Sequence, residues 1–222
     1  MKGQPNRPGR RAPARWWIAL ASAALLAGCT GNLLPGSAEP PKLYVLTPKT
    51  MFAENLPRVP WQLTVDTPVA QAGLNSARIA LRHSPISLDY YARANWTDTA
   101  PKMVQTLLVE SFENSGKIVS VGRQSVTLRA DYSLLTELRE FQAEYDGAGP
   151  PEAHVRINVK LVKMPQRHIV GTLTVDRIER AESTDLDAVV HAFDAALGKA
   201  LRRVVEWTLF TAPAQPDTAR RG

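Results

Sequence analysis

The run His154-Val155-Arg156-Ile157-Asn158-Val159-Lys160-Leu161 alternates polar and apolar side chains without a break. A period of two marks a β-strand with one buried face, because successive side chains leave the pleat on opposite sides. The turn formers Asp146-Gly147-Ala148-Gly149-Pro150-Pro151 precede it. After it, Pro165 to Arg167 is expected to turn the chain into a partner strand whose Ile169, Leu173 and Val175 face the same core. Upstream, Tyr132, Leu134 and Leu138 share one strand phase while Phe141 and Tyr145 take the other. Either a bulge falls near Arg139 or both faces are covered.

Working outward, shorter strand-like runs precede this ribbon: Leu43 to Leu46, Trp61 to Val65, Ala77 to Arg82, Ile86 to Tyr90, and then Lys117 to Val121. Two helices complete the pattern. The first is expected from Asp98 to Ser115, capped by Thr97 or Asp98, with Pro101 in its first turn and Gly116 as its stop; Val104, Leu107, Leu108 and Phe112 share one face. The second is expected from Asp185 to Leu209 with Thr184 as cap, and Leu186, Val189, Val190, Phe193, Leu197, Leu201, Val204 and Val205 form its apolar stripe. The fold class is α+β: a mainly antiparallel sheet with two amphipathic helices packed on one face.

The first residues read differently. Lys2, Arg7, Arg10, Arg11 and Arg15 lead into the apolar run Trp16 to Leu26, which ends in Leu26-Ala27-Gly28-Cys29. Basic head, short apolar centre and small residues before a cut site are the parts of a secretory signal, and eleven apolar residues fall short of the roughly 18 of a membrane span. The ending resembles a lipobox, which expects residues 1–28 to be removed and Cys29, the chain's only cysteine, to carry the lipid. Residues 29–42 then form a tether rich in Gly and Pro, 43–210 one domain, and 211–222 a loose tail. The 28 leader residues hold five basic and no acidic side chains, so they account for all but one of the six net positive charges. The mature part therefore lacks a global field for nucleic acid, and it has no cysteine left for a disulfide.

Catalytic signatures are missing: no Gly-x-Ser-x-Gly elbow, no His-Glu-x-x-His pair, no phosphate loop and no dinucleotide fingerprint. His83, His154, His168 and His191 have no metal-ligand spacing. His154 and His168 are expected to face each other across the hairpin on a solvated strand face. Asp66, Asp89, Asp98 and Asp131 read as caps and turn formers. No enzyme activity, cofactor or metal is expected.

Leu43-Tyr44-Val45-Leu46, Gly73-Leu74-Asn75-Ser76-Ala77-Arg78-Ile79-Ala80-Leu81, Leu88-Asp89-Tyr90-Tyr91 with Asn95-Trp96-Thr97-Asp98, Asp131-Tyr132-Ser133-Leu134, Leu138-Arg139-Glu140-Phe141 and Ala192-Phe193-Asp194-Ala195-Ala196-Leu197 follow one another along the chain. In that order, and with the lipobox, they resemble the ABC-type transport auxiliary lipoprotein family. The resemblance implies a non-enzymatic periplasmic accessory of an ABC transporter whose periplasmic subunit carries an MCE domain, moving phospholipid or other hydrophobic cargo between inner and outer membranes. It also implies a lipid anchor in the membrane, and ring-forming relatives make a homo-oligomer an open expectation. Thr30 stands where an aspartate would favour the inner membrane, so the outer membrane is expected. The competing reading is another envelope-assembly lipoprotein, a partner of lipopolysaccharide assembly or of a cell-wall synthase. Tyr90, Tyr91 and Trp96 are the candidate partner interface, aromatic groups crowded beside an expected loop. Packing against the first helix is the alternative reading for all three. Phe141 and Tyr145 are second candidates.

Overall fold

The computed structural model describes residues 40–123, 129–147 and 149–212. Along it run β1 (Lys42–Tyr44), β2 (Val59–Val65), β3 (Val69–Ala70), β4 (Arg78–Arg82), β5 (Asp89–Trp96), α1 (Ala100–Ser115), β6 (Ile118–Arg123), β7 (Tyr132–Glu144), β8 (Glu152–Lys163), β9 (His168–Arg180) and α2 (Leu186–Thr211). Residues 1–39, which include the leader and Cys29, lie outside the described residues, as do residues 213–222.

All nine strands join one mixed sheet whose spine is β7. On one side β7 pairs antiparallel with β8 over nearly its whole length, and β8 pairs antiparallel with β9. On the other side three short strands take turns, all parallel to β7: β2 at Tyr132 to Leu134, β3 at Glu137 and Leu138, and β4 at Gln142 to Glu144. β5 pairs antiparallel with β4, β1 parallel with β5, and β6 parallel with β2. The long antiparallel ribbon β7–β8–β9 thus supplies most of the pairing, and the fold is α+β.

Both helices contribute to one continuous apolar core and touch each other. Pairing of β7 with β8 skips Arg139, so a bulge falls there. This extra residue brings Phe141 and Ala143 to the same buried side as Leu134 and Leu138. Phe141 then meets Phe193 of α2 and Trp96 of β5, with ring centroids 5.2–5.7 Å apart. Gly116 ends α1 with φ 60°, a left-handed conformation that a Cβ disfavours, and its N–H donates to the Glu113 carbonyl.

Several local expectations shift. Ile86 to Leu88 lie in the β4–β5 turn, and the strand begins at Asp89 and continues through Trp96. Thr99 and Asp185 are the N-caps, displacing Thr97, Asp98 and Thr184, and neither makes a side-chain cap bond. Ile169 is 49% exposed, off the core side. A register shift between Leu161 and Val162 pairs Leu161 with Gly171 and Val162 with Ile169, which moves Ile169 into the opposite row. That register also separates the two histidines: His168 lies opposite Lys163, and His154 opposite Ile178.

The entry to the domain is held by α2. Lys42 Nζ and the Tyr44 hydroxyl donate to Asp187 at 2.7 and 2.6 Å, the Thr47 N–H to Asp194 at 2.7 Å and the Ala53 N–H to Glu206 at 3.3 Å. Three acids on one helix thereby hold residues 42–53, which links the Leu43-Tyr44-Val45-Leu46 and Phe193-Asp194 segments physically.

Candidate functional site

Pleating sends Val155, Ile157, Val159 and Leu161 under the helices and His154, Arg156 and Asn158 to the opposite face. The bulge at Arg139 does the same for β7: after it, Phe141 and Ala143 point inward and Glu140, Gln142 and Glu144 outward. Arg82 joins this outer row from β4, opposite Glu144, and Asp176 joins it from β9, opposite Arg156. Four strands therefore bring charged side chains to one layer.

His154 is only 5% exposed and held from both sides. Its Nδ1 lies 2.6 Å from Glu144 Oε1 and its Nε2 2.7 Å from Asp176 Oδ1. Each ring nitrogen thus faces one carboxylate, and Arg82 and Arg156 flank the same acids. Arg82 reaches Glu144 at 2.7 Å, and Arg156 reaches Asp176 at 2.7 Å. The buried Gln142 amide donates to Glu140 and Glu144 at 2.7 and 2.9 Å while its oxygen accepts the Phe141 N–H.

Burial pushes the Glu144 carboxyl upward, but the bonds from His154 and Gln142 and the Arg82 charge outweigh it, leaving Glu144 below the usual carboxylate range. Asp176 behaves alike: burial raises it, and the Arg156 and His154 bonds bring it lower. The solvated face expected for His154 is thus corrected to a polar layer buried by its own members. Glu140, Glu144 and His154 also place ligand atoms within 4.8 Å of one another. Their oxygens are already aimed at by Arg82, Arg156 and the Gln142 amide, so the donor set suits a closed ion network better than a cation.

Beside this layer lies a groove of mixed polarity, lined by Leu74, Pro85, Ile86, Leu88 and the exposed Arg139, with the half-buried Arg82 and Glu140 as its floor. Ile86, at 97% exposure, stands at its rim. Tyr90 braces the wall: its hydroxyl donates to the Gly73 carbonyl at 3.0 Å, and the Arg78 guanidinium lies 3.7 Å from its ring centroid. Gly73 lets Leu88 lie close, since a Cβ at 73 would stand 2.6 Å from Leu88 Cδ2 and push that side chain aside.

Of the residues singled out in sequence, Tyr90 thus supports the groove. Tyr91 leaves β5 where the pairing with β4 breaks register and Arg93 adopts φ 53°. Its hydroxyl lies 2.9 Å from that of Tyr145, and burial followed by this bond pushes its pKa upward. The His83 ring stacks on Tyr145 at 4.7 Å. Trp96 is 1% exposed among Phe141 and Phe193, so the interface expectation for it is corrected to core packing. Phe141, the second candidate, is likewise core.

Reactive chemistry finds no assembly among the described residues. The Ser84 and Ser87 hydroxyls lie 3.0 Å apart and bond to each other, and neither the stacked His83 nor the doubly held His154 bonds a hydroxyl. Asp98 accepts the neighbouring Thr99 N–H, whereas Asp66 and Asp131 tie β2 to β7, accepting the Ser133 hydroxyl and the Gln62 N–H across 67 and 69 residues, which corrects the turn reading for both. The arrangement is an amphipathic groove beside an ion-paired layer. Sequence reasoning missed the ion-paired layer because the charges at 140, 144, 154, 156 and 176 converge only once the bulge and both registers are known.

Comparison with known proteins adds the family context. A family model described as "ABC-type transport auxiliary lipoprotein component" matches residues 44–205, from the end of β1 into α2. A Bradyrhizobium diazoefficiens protein described as uncharacterized is 30% identical over 148 residues; the match covers 66% of this chain and 39% of that longer protein. A crystal structure of a Xanthomonas campestris protein superposes with a TM-score of 0.73 at 35% identity, covering 77% of this chain and 95% of the other. A second crystal structure, of an uncharacterized protein, shares the fold with a TM-score of 0.61 at 13% identity, covering 77% and 99%.

Proposed function

This chain belongs to the ABC-type transport auxiliary lipoprotein family, and on that premise we propose that it serves as a lipid-anchored docking component of an MCE-type transport system. In this reading Cys29 carries the acyl chains, the outer membrane holds them, and the folded body faces the periplasm to meet the MCE-domain partner. The cargo is phospholipid or another hydrophobic molecule passing between the membranes. The observation that carries the proposal is the extent of the family match, which takes in nearly all of the folded body. The groove supports it: an exposed apolar rim over a charge-paired floor suits a protein partner, with Ile86 as the anchor, Tyr90 held on Gly73 behind it, and Tyr91, paired with Tyr145, as a further contact.

The test is capture of envelope proteins by the full lipidated chain after crosslinking. The expected product contains an MCE-domain protein, and Ile86→Asp weakens its capture by more than about 1 kcal/mol without lowering the melting temperature. Capture of lipopolysaccharide-assembly or cell-wall-synthase proteins in its place overturns the proposal. The anchor has its own test. Fatty-acid labelling is expected in the wild type and lost in Cys29→Ala, which leaves the membrane fraction, since the acyl chains supply about 0.8 kcal/mol per buried methylene.

A further inference from the structure

At the other end of the β7–β8 ribbon, the face that carries the ionic layer presents a second, different surface. Beyond Asn158 the same row of β8 continues with Lys160 and Val162. Leu135 of β7 lies opposite Lys160, Ser133 opposite Val162, and Thr64 of β2 stands beside Ser133; on the far side Ile169 of β9 lies opposite Val162 and is half exposed. Leu135, Val162 and Met164 wall a cavity of about 160 Å³ that also takes in Ser133 and Asp66, with the exposed Arg167 at its lip. An apolar cavity of roughly 150 Å³ takes up a benzene-sized group, so this one has room for a single side chain of medium size.

Charge tells what can sit there. From Ala153 to Val175 the chain holds Arg156, Lys160, Lys163 and Arg167 and no acidic residue. Arg156 is committed to Asp176, but Lys160, Lys163 and Arg167 meet no carboxylate among the described residues. The bordering acids are engaged: Asp66 accepts the Ser133 hydroxyl, and Glu137 is held by Arg139. The charge left without a partner is therefore positive and lies on the rim, at Lys160 and Arg167.

The cavity itself makes the opposite demand. The Asp66 carboxylate within it repels an anion, so a phosphate or lipid headgroup drawn to the rim gains nothing by entering. A bilayer surface is also too flat to fill a concavity. An occupant that suits both parts brings an uncharged side chain to the cavity and carboxylates to the rim, which is the order of an acidic peptide segment with an apolar residue among its acids. This surface is distinct from the groove at Ile86, since Ser133 and Glu140 lie seven residues apart on β7, a span of roughly 20 Å.

We propose that this surface docks an acidic segment of a partner protein, one apolar side chain seated between Leu135, Val162 and Met164 and the flanking carboxylates on Lys160 and Arg167. The inference holds whichever transport system supplies the partner. The test uses the full lipidated chain in native envelopes, with the photoreactive benzoylphenylalanine in place of Ile169. Illumination is expected to give an adduct with another protein, and mass spectrometry to place the crosslink in a segment where acidic side chains flank an apolar one. K160E/R167E is expected to lower the adduct yield roughly tenfold or more, Arg167→Glu alone by less, while K160R/R167K keeps it and added salt weakens it. Unchanged melting temperatures separate loss of docking from loss of folding. No adduct overturns the proposal, as does an adduct with phospholipid, with a second copy or within the same chain, or a yield that ignores the charge reversal.

Discussion

The two faces of the β7–β8 ribbon keep their central side chains from water by opposite means. Under the helices, Val155, Ile157, Val159 and Leu161 are excluded from water by apolar neighbours. On the other face Gln142, His154 and Asn158 are excluded almost as well with no helix above them among the described residues, shielded by the side chains of Arg82, Glu140, Glu144, Arg156 and Asp176. The inner face draws its stability from area removed from water and depends little on pH. The outer face draws it from matched charges and depends on their protonation. Low exposure alone therefore says nothing about which force maintains a surface.

The sharpest way to break the inner face is Trp96→Ala. The ring sits between Phe141 and Phe193, and its removal is expected to cost about 3–5 kcal/mol, read as a lowered denaturant midpoint. A change below about 1 kcal/mol would return Trp96 to the list of partner contacts.

On the outer face His154→Ala is expected to cost less, about 1–3 kcal/mol, because it strips a buried donor from two carboxylates that keep Arg82 and Arg156. The pH profile carries the sign. Glu144 and Asp176 sit below their ordinary values of 4.5 and 3.8 in the folded chain, so the unfolded chain binds protons first. Their contribution is complete above those values and disappears as the pH falls through the lower folded ones. Urea midpoints across pH 6 to 2 are expected to fall more steeply for the wild type than for E144Q/D176N. Coincident profiles would assign the burial of this face to packing.

The smallest expected effect on stability belongs to Ile86→Asp at the rim of the groove, within about 0.5 kcal/mol, because a side chain at 97% exposure has little burial to lose. A larger loss would make the rim part of the core and remove its use as a docking contact.

How much of this was readable in the sequence follows from the range of the signal. The bulge near Arg139, the stop at Gly116 and the apolar stripe of α2 are local, and each appears where periodicity or a single glycine places it. The end of β5 was not readable. Pairing there jumps from Tyr90 to Asn95 against Ala80 and Arg78, a register that no local pattern encodes, and it turns Trp96 from a loop-side aromatic into core. Alternation in β8 correctly marked His154 as facing away from the helices, but its burial depends on residues 10 and 22 positions away. The candidate groove is of the same kind. Its rim, Leu74 and Ile86, and its floor, Arg82 and Glu140, come from four separate segments, and none of these four residues was a candidate contact in the sequence, where Tyr90 and Tyr91 were.

The arrangement of strands around β7 also bears on the order in which this body can assemble. β2, β3 and β4 each rest on a different third of β7 and do not pair with one another. A chain that emerges amino terminus first presents these strands before Tyr132 to Glu144 exists to seat them. Everything up to β6 must therefore wait as fragments with exposed strand edges until the spine arrives, after which β8 and β9 can add by adjacent hairpins. Any factor that shields the emerging chain has most to do in that interval, before the last third has come out.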